Sequence, residues 1–196
     1  MKNLSITSDK CQVSKKRDLV KILSLGYLPP VNNYHPTNKP KIEEIFFPAK
    51  LMYSKSSKLM QLDTVVKKEI IFPKSYPYTS STTAVLRENF KDLYIECKKL
   101  KLMNKGDLIV DIGSNDGNLL SNFKKNNRVI GVTPERIGKI AIKKGINTLL
   151  RYFDRNVVNL ILKKYGKAKI ITATNVFAHI DNIDYLMNNI VKLLDS

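Results

Sequence analysis

The chain has 196 residues, 43% of them hydrophobic, which suffices for one ordinary domain, or a small domain plus a partial one, around a real core. No run of apolar residues approaches the length of a membrane span, and the start, MKNLSITSDKCQVSKKRDL, lacks the apolar segment of a signal peptide, so no membrane partner and a cytoplasmic location are expected. Two cysteines, Cys11 and Cys97, are too few for a disulfide framework or a four-cysteine zinc site.

The net charge of +17 raises the question of nucleic acid. The lysines are dispersed in pairs such as Lys15-Lys16, Lys67-Lys68, Lys98-Lys99, Lys143-Lys144 and Lys163-Lys164. Several pairs fall at predicted helix ends, where cations suit the helix dipole. There is no concentrated basic block and no aromatic RNA-binding signature, so the charge reads as solvated faces and nucleic acid is not an expected partner.

In chain order, residues 1–80 form the first predicted domain. They are proline-rich (Pro29, Pro30, Pro36, Pro40, Pro48, Pro73, Pro77) with short apolar runs such as Ile45–Phe47 and Leu59–Leu62. That pattern predicts a small loop-rich domain of short strands. His35, beside Pro36, reads as surface loop.

The second predicted domain spans 81–196. Apolar residues at Val85, Leu86, Phe90, Leu93, Tyr94 and Cys97 predict a helix over Ala84–Leu102. A regular alternation follows: strand Leu108–Ile112, helix Asn118–Lys125, strand Arg128–Val132, helix Ile137–Lys144, strand Asn147–Tyr152, helix Asn156–Tyr165, strand Ala168–Ala173, helix Ile183–Leu194. Alternating strands and helices predict an α/β fold with a Rossmann-like, doubly wound parallel sheet. The alternation stops at four strands, so the sheet is expected to be incomplete.

The segment LIVDIGSNDGNLL, 108–120, carries the chemistry. A buried strand ends at Asp111-Ile112, a turn Gly113-Ser114-Asn115-Asp116-Gly117 follows, and a helix opens. Two glycines permit a tight turn and close approach of a ligand to the backbone. The carboxyl end of a central strand is where open α/β sheets bind ligands, and the helix start offers N–H donors to a carboxylate. A phosphate-cradling loop would end in Gly-Lys-Ser/Thr, whereas Gly117-Asn118-Leu119 stands here. A dinucleotide fingerprint would place glycine where Asn115 sits. Asp111 and Asp116 would repel a pyrophosphate but tolerate a sulfonium, which leaves an adenosylmethionine loop or a mere strand-to-helix turn.

At these residues the sequence resembles the class I S-adenosyl-L-methionine-dependent methyltransferases of the sugar C-methyltransferase type. DIGSNDGNLL is similar to their first motif and ITATNVFAHIDNID, 171–184, to their fourth-strand segment. LGYLPPVNNY (25–34), LMQL (59–62) and YPYTSST (76–82) follow in family order along the whole chain. The resemblance implies adenosylmethionine as cofactor and C-methylation of a nucleotide-linked keto-deoxysugar, a small-molecule partner. It implies cofactor contacts at Asp111, Gly113, Ser114, Asn115, Asp116, Gly117, Thr133 and Pro134. A base would remove a proton beside the sugar ketone; His179 is the candidate, since an imidazole titrates near neutrality. Asn175 would orient substrate or cofactor. Helix capping for His179 and local backbone pairing for Asn175 are the plain alternatives. Tyr76, Tyr78 and Ser80 would approach the mouth of the site, or simply pack.

The sequence departs from the family in three places. The family's N-terminal zinc module has two Cys-x-x-Cys pairs; here they read Cys11-Gln12-Val13-Ser14 and Ser54-Lys55-Ser56-Ser57, so no zinc is expected. Thr133 stands where an acid usually accepts from the ribose hydroxyls, with Glu135 two residues on. The further strands and C-terminal domain of the family do not appear. The alternatives therefore stay open that the chain is an incomplete or inactive fragment, or a non-catalytic Rossmann-like binding fragment. An RNA-associated methyltransferase is the remaining one, though Asn175-Val176-Phe177-Ala178 lacks the Asn/Asp-Pro-Pro-aromatic tetrad common there.

Overall fold

The structure is a computed structural model, and it describes residues 3–31, 33, 34, 37, 38 and 43–195. His35, read above as surface loop, lies outside the described residues, as do Pro36 and Pro40. The chain divides into two compact units, Met1–Pro73 and Lys74–Ser196. Residues 74–80 thus go with the second unit. No described helix is long and apolar enough to cross a membrane.

The first unit is built from short antiparallel strands. β1 (Ser5–Thr7) pairs with β5 (Thr64–Val66), and β2 (Leu19–Leu28), β3 (Phe47–Ser54) and β4 (Met60–Leu62) form a sheet in that order. Pro48 lies in the central strand β3, where a missing N–H would normally interrupt the ladder. It sits opposite Tyr27, beside an irregularity in the β2–β3 register between Ser24 and Tyr27. A short helix α1 (Lys68–Ile71) closes the unit. Its apolar interior is thin: Cys11 and Phe47 are its buried hydrophobic side chains among the described residues, accompanied by buried Ser54, Gln61, Asp63 and Thr64.

The second unit is a Rossmann-like α/β domain. Helix α2 (Ala84–Lys99) precedes β6 (Leu108–Ile112), α3 (Asn118–Phe123), β7 (Arg128–Val132), α4 (Gly138–Lys143), β8 (Asn147–Leu149), α5 (Arg155–Tyr165), β9 (Ile170–Thr172) and α6 (Ile183–Leu193). The four strands are parallel in the order β8-β7-β6-β9, with Asp111 of β6 beside Gly131 of β7 and Thr172 of β9.

Strand residues alternate between two cores, as the two-residue period requires. Ile109 and Val129 join Phe90, Cys97, Leu119, Leu120, Phe123 and Ala141 on the face covered by α2, α3 and α4. Leu108, Val110, Ile130 and Val132 join Val157, Val158, Ile161 and Leu193 on the face covered by α5 and α6. Each fully buried Val, Leu, Ile or Phe contributes about 1.5–3 kcal/mol relative to exposure, so these two layers fix the sheet. Asp154 caps α5 by accepting from the Val157 N–H at 2.8 Å, and Asn182 caps α6 by accepting from Tyr185 at 3.0 Å.

β6 and β7 keep the limits their apolar runs predict. The outer strands are shorter than expected: β8 ends at Leu149 rather than Tyr152, and β9 covers Ile170–Thr172 rather than Ala168–Ala173. Each pairs on one side only, so ladder contacts, not composition, set its ends. Helix α3 stops at Phe123, two residues before the expected limit.

Candidate functional site

Three loops leave the carboxyl ends of adjacent parallel strands: 113–117 after β6, 133–137 after β7 and 173–182 after β9. The first has residues of positive φ at alternate positions, Gly113 (+73°), Asn115 (+49°) and Gly117 (+78°). The N–H groups of Gly113 and Ser114 both donate to the Val132 carbonyl, at 2.8 and 3.2 Å, which ties the loop to β7. The Gly117 N–H donates to the Ser114 carbonyl at 2.9 Å and closes the turn into α3.

Glycine is demanded here by space as well as by φ. A Cβ on Gly113 would lie 2.2 Å from Val176 Cγ2, in the loop after β9. A Cβ on Gly117 would lie 2.7 Å from Ile146 Cδ1 and 2.8 Å from Ala141 Cβ. On β7, a Cβ on Gly131 would lie 2.4 Å from Ser114 Oγ. The Ser114 hydroxyl is itself buried with no hydrogen-bond partner among the described residues.

The segment running from Lys74 holds two of these loops. The Lys74 carbonyl accepts from the Arg136 N–H at 2.9 Å, and the Tyr78 carbonyl accepts from Asn115 Nδ2 at 3.0 Å. Ser80 donates its N–H to Asn115 Oδ1 at 2.9 Å and its hydroxyl to Asp116 Oδ1 at 2.6 Å. Lys144 Nζ completes the anchorage by donating to Asp116 Oδ2 at 3.2 Å. The Asp116 side chain has no exposed surface, while that of Lys144 is 43% exposed. Burial works to raise the Asp116 carboxyl, but hydrogen bonds from Ser80, Ser81 and Lys144 outweigh it and hold the group below the usual range.

Asp111 behaves in the opposite way. It is fully buried at the end of β6 and accepts from the Thr172 hydroxyl at 2.7 Å. Burial dominates that single bond and pushes its carboxyl up to about 7.

After β7, Thr133 and Glu135 are both buried, and the Thr133 hydroxyl donates to Glu135 Oε2 in a short bond. Thr133 is seated by its N–H on the Leu149 carbonyl at 3.0 Å. Pro134 between them is half-buried. After β9, Asn175 is exposed and left-handed, with φ +56°. His179 is exposed at the end of a short 3-10 turn, Phe177–His179, with its N–H on the Val176 carbonyl at 2.9 Å.

The structure thus brings Gly113 against Val176, the neighbour of Asn175, and Ser114 against Gly131. Asp116 is tied inward to Ser80 and Lys144. The sequence marked Ser80 only as a family-like residue beside a packing alternative; Thr172 and Val176 fell within the 171–184 segment with no role of their own, and Lys144 read only as a helix-end cation. A surface hollow lined by Lys124, Asn127, Arg128, Asn147 and Tyr165 lies at the opposite edge, around the amino ends of β7 and β8. Three of its polar side chains hold loops together: Lys124 on the Lys144 carbonyl, Asn127 on the Asn104 carbonyl, and Arg128 on the Gly106 and Tyr165 carbonyls. The three loops are therefore the candidate site.

In the first unit, the positions matching the zinc-module pattern form two matching turns. The Cys11 carbonyl accepts from the Lys15 N–H at 3.0 Å and the Ser54 carbonyl from Lys58 at 2.9 Å. Cys11 Sγ lies 3.1 Å from Ser57 Oγ. Burial pushes the Cys11 thiol up, but hydrogen bonds from Ser14, Ser57 and Ser54 prevail and bring it down to about 6.

A parallel β8-β7-β6-β9 sheet between two helical layers, with a glycine turn after its central strand, is a Rossmann-like arrangement. The chain is similar to the C-methyltransferase NovU of Streptomyces niveus, at 28% identity over 188 residues. That match covers 95% of this chain and 44% of NovU, so the chain spans less than half the length of this relative. Residues 11–72 match the family described as "Putative zinc binding domain". Among solved structures, the plantazolicin methyltransferase BpumL, with a pentazolic desmethylPZN analog and SAH, aligns with a TM-score of 0.45 and 15% identity over 59% of this chain and 45% of its own. Coclaurine N-methyltransferase, with N-methylheliamine and SAH, aligns with a TM-score of 0.42 and 22% identity over 62% and 36%.

Proposed function

We propose that this chain provides the S-adenosyl-L-methionine-binding part of a C-methyltransferase whose acceptor is a nucleotide-linked keto sugar. The observation that carries the reading is the 113–117 turn: a backbone bent at two glycines after a fully buried central strand, in a chain similar to a C-methyltransferase over 95% of its length.

The donor set suits that cofactor. Residues 113–117 carry no lysine for a phosphate, and the nearby carboxyl groups of Asp111 and Glu135 suit hydroxyl partners better than a pyrophosphate. Gly113, Ser114 and Asn115 would hold the cofactor along the turn, with Thr133, Pro134 and Glu135 towards its ribose. When bound, adenosylmethionine supplies the methyl group that is transferred.

The protein's share of the work is orientation and proton removal. His179 takes the proton from the carbon beside the acceptor's ketone, and Asn175 orients the acceptor from the same loop. Asp116 acts through the loop: with Ser80 and Lys144 it keeps Asn115 in its left-handed conformation.

Isothermal titration of the folded chain with adenosylmethionine and S-adenosylhomocysteine, and with ATP as control, tests the reading. Heat with the first two and none with ATP is expected. Equal binding of ATP, or no heat and no thermal shift with either methionine derivative, would overturn it.

A further inference from the structure

The two turns of the first unit, Cys11–Lys16 and Ser54–Leu59, are near copies. In each, the first residue's carbonyl accepts from the N–H four residues on. Its own N–H donates to the carbonyl five residues on, at 3.0 Å for Lys16 and 2.9 Å for Leu59. In each, the fifth residue is a left-handed lysine, Lys15 at φ +60° and Lys58 at φ +62°. The side chain of the first residue gathers backbone N–H groups: Val13 and Ser14 donate to Cys11 Sγ, both at 3.4 Å, and Ser57 donates to Ser54 Oγ at 3.3 Å. This backbone is shaped to present the side chains of residues 11, 14, 54 and 57 to a common centre.

The donors at that centre do not fit a zinc ion. A structural zinc is held by four thiolate or imidazole ligands, whereas these positions offer one thiol and three neutral hydroxyls. No group of three or more His, Cys, Asp or Glu side chains able to hold a metal occurs among the described residues. The side chains bond to one another instead. Cys11 Sγ meets Ser57 Oγ at 3.1 Å, and the Ser56 hydroxyl donates to Ser14 Oγ at 3.1 Å. Asp18 then enters the centre from outside the motif. Its carboxylate accepts from the Ser54 hydroxyl at 2.9 Å and from the Ser56 N–H at 2.7 Å.

We infer that the two turns are closed by a metal-free cluster of Cys11, Ser14, Ser54, Ser56 and Ser57, with Asp18 as its anionic keystone, where the matching family model implies zinc. The bonds span 36 to 46 residues, so they join chain ends of the unit as a metal would. Ser54 is completely buried, so its hydroxyl needs its acceptor. The cluster adds what the thin apolar interior of this unit leaves short.

Three measurements on the full chain test this. Elemental analysis of purified protein is expected to find zinc far below one ion per chain, and a chelator is expected to leave the melting temperature unchanged. The triple variant Ser14→Cys/Ser54→Cys/Ser57→Cys is expected to take up one zinc per chain and to melt at a temperature that a chelator lowers. Asp18→Asn is expected to speed amide exchange in segments 11–16 and 54–59 by roughly tenfold, the scale of one lost charged hydrogen bond. Stoichiometric zinc in the natural chain, or chelator sensitivity, would overturn the inference. So would a triple variant that binds no zinc, because the backbone would then not be a ligand-presenting pair. Unchanged exchange in Asp18→Asn would remove Asp18 from the cluster.

Discussion

The turn at 113–117 and the paired turns at 11–16 and 54–59 solve one problem, holding a bent backbone still, by different physical means. The first is tied by hydrogen bonds but is also closely packed at both of its glycines, so that space itself enforces its shape: a single added carbon at Gly113 or Gly117 meets Val176, Ile146 or Ala141. The second lies in a unit whose buried hydrophobic side chains, among the described residues, are Cys11 and Phe47. There, directional bonds between hydroxyls, a thiol and one carboxylate do the holding. The difference teaches where each unit is fragile. The glycine turn is open to steric insult as well as to loss of an acceptor, whereas the paired turns of the strand unit depend chiefly on their hydrogen-bond acceptors.

The largest expected effect breaks the steric side. Gly117→Ala forces a Cβ into a left-handed position, at about 1–2 kcal/mol, and overpacks it against Ala141, at about 1–3 kcal/mol. A total near 2–5 kcal/mol should appear as a lower urea midpoint with an unchanged slope. A loss below the left-handed penalty alone would mean that the loop moves freely.

Next in size is a pH effect inside the α/β unit. Asp111 is pushed up to about 7 by burial, well above the value of about 4 for an unfolded aspartate. Between those values the folded chain holds a proton that the unfolded chain has lost. Stability contributed by the protonated Asp111 is therefore complete below about pH 4 and is lost as pH rises to 7, by at most about 1.4 kcal/mol per pH unit. Asp111→Asn should flatten the unfolding free energy across that window. Asp116, held low, acts in the opposite sense: its contribution is present above the unfolded value and lost as pH falls through its folded one. A variant that keeps the full slope would show that Asp111 is ionised in the folded protein.

The anchorage of the glycine turn comes third. Asp116→Ala removes the acceptor of Ser80 and the partner of Lys144, and is expected to cost about 1–3 kcal/mol, most of it from the buried Ser80 hydroxyl. Lys144→Met should cost about 0–1 kcal/mol, because the ammonium is half exposed and screened. Equal costs would make the ion pair, rather than the serine, the anchor.

These anchors also mark the limit of what a sequence reading can reach. The central strands were legible because five buried residues in succession in β6 and four in β7 admit little else, and the helices because their apolar spacing matches the two cores. The glycine turn was legible because Gly113 and Gly117 sit at fixed offsets from β6. Ser80 meets Asp116 across 36 residues, Lys144 across 28, and Asp18 meets Ser54 across 36, and no local pattern announces such pairs. Strand β2 was missed for a different reason. It is exposed along nearly all of its length, so its apolar residues do not alternate with polar ones.

The last expected effect bears on the cofactor proposal itself. On that proposal Thr133 stands where an acid would face the ribose, and its hydroxyl hydrogen is committed to Glu135. The Glu135 carboxylate so positioned is an acceptor beside that place. Glu135→Gln keeps the shape and removes the charge, so affinity for S-adenosylhomocysteine should fall by roughly tenfold, equivalent to about 1.4 kcal/mol. Thr133→Val, which only frees the carboxylate to move, should cost less. The loss should depend on the sugar hydroxyls: the natural chain should prefer S-adenosylhomocysteine to its 2′-deoxy analogue, and Glu135→Gln should weaken that preference. If both ligands lose affinity equally, Glu135 serves the fold of the 133–138 turn and the ribose contact lies elsewhere.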